Sequence, residues 1–414
     1  MKSLQKDRCC KMKTALNLGY GSVHGFYWMS YGAICSFASV FLLARGYSNT
    51  DIGIMTAVSN VAAVFLQPLM ADLADRSKRF SLVSVSSIAT VILMVLCLGT
   101  FVLQQKSAAL TVIFILLMGG NISLQPLFNS LCFKLQECGI PINFGVGRSI
   151  GSLAYSVLVM FLGTLAEEKG IFVLSLTAEI TMAFTLASLA LVTWQFRKAS
   201  AAAGTTKNAS AEVLADGDDE AEEINLIQFV KRNKIFMVLM IGVLGIYFSN
   251  GVLNTFMLQV IQPLGGTAED MGQIFSIMAF LEIPTMMFFE QINRKFSCQT
   301  LMKVAGIGYV VKTAIIWRAS SVHMVLAAQF IQPFAFALLL PAVVKLIGVS
   351  MSKGEAVKGQ ALFTTVTTVA YIVCSLVGGV ILDQWGAGVL MTIATVFTAV
   401  GAVVILLVVD KIKS

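Results

Sequence analysis

Three charged side chains stand deep inside long apolar runs, Arg148 in "FGVGRSIGSLAY", Glu282 in "MAFLEIPTMMFF" and Lys312 in "GYVVKTAIIW", while a fourth, Glu179 in "LTAEITMAF", reads as nearer the outer face. An ion taken away from water is costly, and where one is kept it tends to mark a ligand or ion path. A guanidinium presents a planar fork of donors, suited to hydroxyls or to a carboxylate. Tyr155 follows Arg148 by seven residues, about two helical turns, so the two share a helix face. Gly151 and Ser152 leave room between them. Donors beside a flat ring suit a pyranose, whose hydroxyls meet the fork and whose C–H side meets the ring. Glu282 directly precedes Ile283-Pro284, and a proline in an apolar helix frees a backbone carbonyl. Desolvation favours the protonated form of a carboxyl, which makes Glu282 the candidate proton carrier and Lys312 its candidate counter-charge. Plainer readings stand beside these: Arg148 as a snorkelling residue, Tyr155 as packing, Glu282 and Lys312 as a structural ion pair.

The elements that hold these groups follow from composition. Of 414 residues, 57% are hydrophobic and 12% charged, whereas soluble domains carry about 25% charged residues. About twelve apolar runs are long enough to span a bilayer as helices, and too long for barrel strands. The expected fold class is therefore all-α membrane, with twelve transmembrane helices. With both termini placed inside and the loops assigned alternately, 23 of the 29 Lys and Arg fall on the inner side. Only Arg45, Lys106, Lys169 and Arg318 fall outside, a bias that orients the chain by the positive-inside rule.

The net charge of +7 comes from loops between the apolar runs, so it points to no nucleic acid partner. Histidines are limited to His24 and His323, and no metal-ligand spacing, nucleophile–base pair or phosphate-binding glycine loop is present. An enzyme, a resident cofactor and an ATP-driven pump are accordingly not expected. Cys35, Cys97, Cys132 and Cys374 sit in apolar runs and read as small hydrophobes.

The longest hydrophilic stretch, 197–233, begins Ala-rich and acidic and ends in "INLIQFVKRNK", which could form a short amphipathic helix at the inner surface. It divides the chain into 1–196, expected as a six-helix bundle, a cytoplasmic linker at 197–233, and 234–414, expected as a second bundle. A polar basic loop recurs at matching places, "DLADRSKRF" after the second run and "EQINRKFS" after the eighth, as a duplicated unit would leave it.

"QPLMADLADRSKR" carries the most specific motif. It resembles the inner loop between the second and third helices of the major facilitator superfamily, Gly-x-Leu-x-Asp-Arg-x-Gly-Arg-Lys/Arg. Leu73, Asp75, Arg76 and Arg79 match, while Ala71, Lys78 and Phe80 depart from it. The resemblance implies a gating loop that includes Asp72, Asp75, Arg76 and Arg79 and latches one state. Within that family, "DIGIMTAVSNVAAVFLQPLMADLAD" and "FGVGRSIGSLAY" resemble the second and fifth helices of the lactose-permease-like oligosaccharide and nucleoside proton symporters. There Arg148 falls on a sugar-binding arginine and Tyr155 on an aromatic position, with Val146 in place of a first arginine. Glu282 falls near the family's eighth-helix acid, and Lys312 where the symporters hold an arginine.

The departures are specific. Gln332 and Ala335 stand where the symporters carry His and Glu, Asn250 and Asn254 replace seventh-helix acids, and Asn129 or Gln125 replaces the fourth-helix acid. Amides still suit a hydroxylated ligand, so Arg148, Tyr155, Asn129, Asn250, Asn254, Gln332 and Tyr27 are the candidate substrate ligands. Asn17, His24, Trp28, Tyr31 and Asn60 are further candidates for lining a cavity. The expected activity is proton-coupled symport of a sugar, oligosaccharide or similar hydroxylated solute. An exporter of an organic anion or drug, and a non-transporting membrane sensor, are the alternatives. The expected partners are that solute, protons and the lipid bilayer, for a monomer in a plasma membrane. Its location is expected to be a bacterial inner membrane, with both termini cytoplasmic.

Overall fold

The computed structural model describes residues 2–76, 81–137, 142, 144–202 and 226–412. Among these the chain is helical and contains no strand, as the sequence requires. The first helices are α1 (Lys2–Tyr31), α2 (Ala38–Ala44), α3 (Asn49–Arg76), α4 (Leu82–Val102), α5 (Ala108–Glu137), α6 (Phe144–Lys169) and α7 (Phe172–Ala202). They are followed by α8 (Leu226–Arg232), α9 (Lys234–Ile261), α10 (Ala268–Met287), α11 (Phe289–Asn293), α12 (Cys298–Trp317), α13 (Val322–Ala328), α14 (Phe336–Ser350) and α15 (Lys353–Val408).

Among the described residues, nine helices are long and apolar enough to cross a membrane, or ten when the pair bent by 43° before Ala38–Ala44 is taken as one span. α10 is kept out of that set by its composition, since it carries Glu269, Asp270 and Glu282. α15 breaks at Gly386, whose φ of 78° suits only a residue without Cβ, and so folds back as two arms. Counted with these two features, the pattern is consistent with twelve crossings.

The chain divides into two compact units. The first comprises Met1–Phe41 and Val58–Gly217, the second Leu42–Ala57 and Asp218–Ser414. In the first, α1 packs on α6 and α7, and α4 on α5 and α7. Small residues set these distances: a Cβ at Gly147 would come within 2.3 Å of the Tyr20 ring. In the second, α9 lies along α15, and the carbonyl of Gly242 is 2.5 Å from where a Cβ on Gly401 would stand. Such close approach of backbones is the usual way apolar helices associate where water provides no driving force.

Residues 203–225 of the linker lie outside the described residues. The basic segment after them forms α8, whose Phe229 is 1% exposed and belongs to the apolar core of the second unit. Arg232 and Asn233 of this segment reach Glu355 at 3.4 and 3.5 Å.

Candidate functional site

The three deep charged groups singled out by sequence fall into two clusters, one in each unit. In the first unit, Arg148 sits just over one turn into α6. Its guanidinium carbon lies 4.0 Å from the centroid of the Trp28 ring on α1, and Nη1 donates to Ser152 Oγ at 3.4 Å. Gly151 makes this possible, because a Cβ there would stand 2.6 Å from Trp28 Cδ1. Trp28 meets Tyr155 edge to face at 6.4 Å, and the Tyr155 hydroxyl shares a hydrogen bond of 2.8 Å with Ser36 Oγ. Ser36 ends a short π-helical stretch, Gly32–Ser36, and the wider turn of that stretch is a feature often kept at functional sites.

Arg148 and Tyr155 are therefore brought to one place, as their spacing implies. The ring beneath the arginine, however, is Trp28 rather than Tyr155. Cation–π contact holds a guanidinium against an indole with an attraction of ~0.5–2 kcal/mol, depending on its desolvation. The indole Nε1 of Trp28, Nδ1 of His24 and Oδ1 of Asn129 are shielded and have no hydrogen-bond partner among the described residues. Tyr27 is turned to another purpose. It is buried, and its hydroxyl donates to the Asn121 carbonyl at 3.2 Å, joining α1 to α5.

In the second unit, Lys312 on α12 is 1% exposed and donates to Oε1 of Gln332. Gln332 lies in the 3-10 turn Gln329–Phe334 between α13 and α14, and its Nε2 donates to Glu282 Oε1 at 2.6 Å. The order of atoms is chemically forced. An ammonium can only donate, so the amide oxygen must face Lys312 and the amide N–H is left for the carboxylate. Lys312 Nζ also lies 3.8 Å from Met278 Sδ on α10. The turn that carries Gln332 approaches α12 at Gly308, where a Cβ would stand 2.3 Å from the Phe334 carbonyl oxygen.

Beside this chain lies an amide–phenol group. Asn250 Nδ2 donates to the Tyr371 hydroxyl at 2.8 Å, and Asn254 Nδ2 donates to the Asn250 carbonyl at 2.7 Å. The Tyr247 and Tyr309 hydroxyls are buried without a hydrogen-bond partner among the described residues. Buried polar atoms are nearly always paired, so these two phenols, close to the half-buried Glu282 carboxylate, stand out from their surroundings. Sequence reasoning missed Tyr247, Tyr309 and Tyr371. Each stands in an apolar run, and only its fold neighbours distinguish it from a packing ring.

Of the gating-loop candidates, Asp72 is exposed on the last turns of α3. Asp75 and Arg76 end that helix, with side chains outside the described residues, as is Arg79. In the matching segment of the second unit, Glu290 on α11 pairs with Lys345 of α14 at 3.1 Å. No group of three or more metal-ligating side chains occurs among the described residues.

Residues 20–391 match the family described as "MFS_1 like family". The chain belongs to this family. It is a major facilitator transporter, an all-helical protein of the membrane. An uncharacterized transporter, YwbF of Bacillus subtilis (strain 168), is 21% identical over 79% of this chain and 77% of its own length. A maltose permease of Geobacillus stearothermophilus is 22% identical over 92% of both chains. Among solved structures, the nucleoside transporter NupG superposes with a TM-score of 0.72 at 14% identity, covering 96% of this chain and 99% of its own. A bacterial homologue of the human lysosomal transporter Spinster gives 0.66 at 13%, covering 97% and 99%. These structural likenesses establish the fold of this major facilitator chain.

Proposed function

We propose that this transporter carries a sugar, nucleoside or similar hydroxylated small solute together with protons, by alternating access. The observation that supports it most is the Lys312–Gln332–Glu282 chain, in which Lys312 and Gln332 are buried and Glu282 is half-buried. Its charges sum to zero while Glu282 is ionised. Protonating Glu282 leaves a buried ammonium without compensation, a state that costs several kcal/mol unless the surroundings rearrange. Proton loading is thereby tied to a change of conformation, which is the requirement for coupling. Gln332, expected from sequence as a solute ligand, serves in the described state as the bridge between the two charges.

The solute side of the reading rests on the kinds of group that remain. Arg148 and Ser152 offer donors, Trp28 and Tyr155 flat rings, and Asn250, Asn254 and Asn129 amides that can both donate and accept. The names of two similar proteins, a maltose permease and a nucleoside transporter, denote ligands rich in hydroxyls. Asp72, Asp75, Arg76 and Arg79 form the inner gating loop in this reading. The protein acts as a monomer in a bacterial plasma membrane with both termini cytoplasmic.

The role of Glu282 is tested in membrane vesicles by Glu282→Gln. An amide retains the shape and the bond to Gln332 but holds no titrating proton. Uptake against a gradient is lost while exchange of labelled for unlabelled solute persists. Continued accumulation by this variant would remove Glu282 from coupling.

A further inference from the structure

Glu179 stands inside α7, and the proposed coupling does not use it. The apolar span of this helix runs from Phe172 to Arg197. At 1.5 Å per residue it outreaches a hydrocarbon core of ~30 Å by a few Å at each end, which puts Glu179, about 10 Å from the start, just inside the apolar layer. The side chain is half-buried at the seam between α7 and α4, where the Cys97 thiol faces it. Ser175, one turn earlier on α7, and Thr100, in the last turn of α4, complete the polar lining. Cys97, Thr100 and Ser175 are all buried. Both helices belong to the first unit, which holds this seam complete within itself.

The hydrogens of this group are already committed. Thr100 Oγ1 donates its one hydrogen to the Cys97 carbonyl at 2.7 Å. Ser175 Oγ, 2.7 Å from the same Thr100 oxygen, must then donate to it. Cys97 Sγ lies 3.6 Å from the Ser175 carbonyl, and a thiol is a weak donor with a single hydrogen. Glu179 Oε1 is shielded and receives no hydrogen bond among the described residues. No lysine or arginine pairs with Glu179 among them either. A shielded carboxylate oxygen without a donor is costly, and acids at membrane depth are kept where a partner is supplied. On its apolar side the seam is open. Leu98, next to Cys97 on α4, is 57% exposed, and Leu176 and Ile180, on either side of Glu179 on α7, are 42% and 47% exposed. At this depth such side chains meet acyl chains rather than water.

We infer that the α4–α7 seam binds the ammonium group of an amphiphile, a primary or secondary amine carried on an apolar chain, which enters from the bilayer. An ammonium brings the charge and the N–H donors that the lining lacks, and a charge-assisted bond to the carboxylate is the strong kind. The apolar body lies along Leu98, Leu176 and Ile180. A quaternary ammonium has no N–H to give and is the weaker ligand. A free lipophilic amine and the headgroup of an ethanolamine-type lipid present the same group to Glu179.

The test couples the ligand to the carboxyl. The purified full chain in maltoside micelles is treated with a hydrophobic carbodiimide and dodecylamine. The carboxylic acid adds across a C=N bond of the carbodiimide to give an O-acylisourea; the amine nitrogen attacks its acyl carbon, the urea leaves and an amide remains. Peptide mass spectrometry reads the amide at Glu179 against the exposed carboxyls of Glu290 and Asp410. Dodecylamine is expected to favour Glu179 over those two by about tenfold or more, the ratio that one charge-assisted hydrogen bond supplies. Ethylamine, with no apolar body, favours the exposed pair, and excess dodecyltrimethylammonium does not displace dodecylamine. Leu98→Trp with Leu176→Trp fills the lip of the seam and brings the Glu179 amide down to the level of the exposed pair. Where that double variant fails to fold, the amine series on the parent protein decides. In vesicles, an amide between Glu179 and an ethanolamine headgroup assigns the site to lipid, and coupling to added dodecylamine alone assigns it to a free amine. Equal coupling of dodecylamine at all three carboxyls, or no amide at Glu179, overturns the site. So does conversion of Glu179 to the N-acylurea of the carbodiimide at the same rate with and without amine, the result for a carboxyl that holds only a proton.

Discussion

At the scale of single residues, Arg148 is set by what lies under it. Its guanidinium rests on Trp28 and reaches Ser152, an arrangement that needs a flat cation and an open position at Gly151. Lysine keeps the charge but has neither the plane nor the fork. Arg148→Lys is therefore expected to raise the concentration for half-maximal uptake by at least about tenfold, equivalent to the loss of roughly 1.5 kcal/mol or more from a charge-assisted hydrogen bond. Expression in the membrane should be unchanged. Kinetics of uptake check this, and an unaltered half-saturation point would take Arg148 out of the solute site. The pairing of Arg148 with Tyr155 was legible in the sequence because seven residues make about two turns. Trp28 was legible only as one of several rings in the first apolar run. Nothing local says which ring an arginine one hundred and twenty residues later will cover, since that depends on how α1 crosses α6.

At the scale of elements, the bridge in the second unit depends on a short turn being pressed against a helix. The turn Gln329–Phe334 brings Gln332 between Lys312 and Glu282 only because Gly308 lets the Phe334 carbonyl approach α12. Gly308→Ala would place a methyl 2.3 Å from that oxygen, so the turn must move. The expected results are destabilisation by ~1–3 kcal/mol, as for other overpacked sites, and weakened coupling, whereas Gly348→Ala, open around its Cβ position, serves as the neutral control. Thermal unfolding in detergent and uptake against a gradient check the two effects. A stable, fully coupled Gly308→Ala protein would mean that the turn is held by something else.

Most helices could be read from their apolar runs, and the structure adds the caps that start several of them. Ser81 and Ser297 cap α4 and α12, and Thr267 with Asp270 forms a capping box on α10. The break of α9 at Phe256 and the 3-10 turn at Gln332 could not be read this way, because tertiary packing imposes them on sequences that otherwise favour a continuous helix. The last part of the linker was expected as a short amphipathic helix, and α8 forms there in the chain, with Phe229 dropping into the core of the second unit.

At the scale of the whole molecule, composition alone excluded a soluble protein, and the motif after the second apolar run pointed to the family that the match over residues 20–391 establishes. What composition could not supply is the electrostatic logic. A chain in which amides stand where acids were expected looks poor in ionisable groups. The fold instead joins two of those that remain, Lys312 to Glu282 through Gln332, and in the proposed coupling one proton on Glu282 changes the net charge of that chain. The measurement that tests this most directly is proton flux in proteoliposomes, challenged in turn with sugars, nucleosides and organic anions. The account predicts that one neutral hydroxylated solute drives protons inward with it, and that Glu282→Gln abolishes that flux while solute still exchanges. Entry of such a solute with no proton movement, or undiminished proton flux in Glu282→Gln, would contradict it.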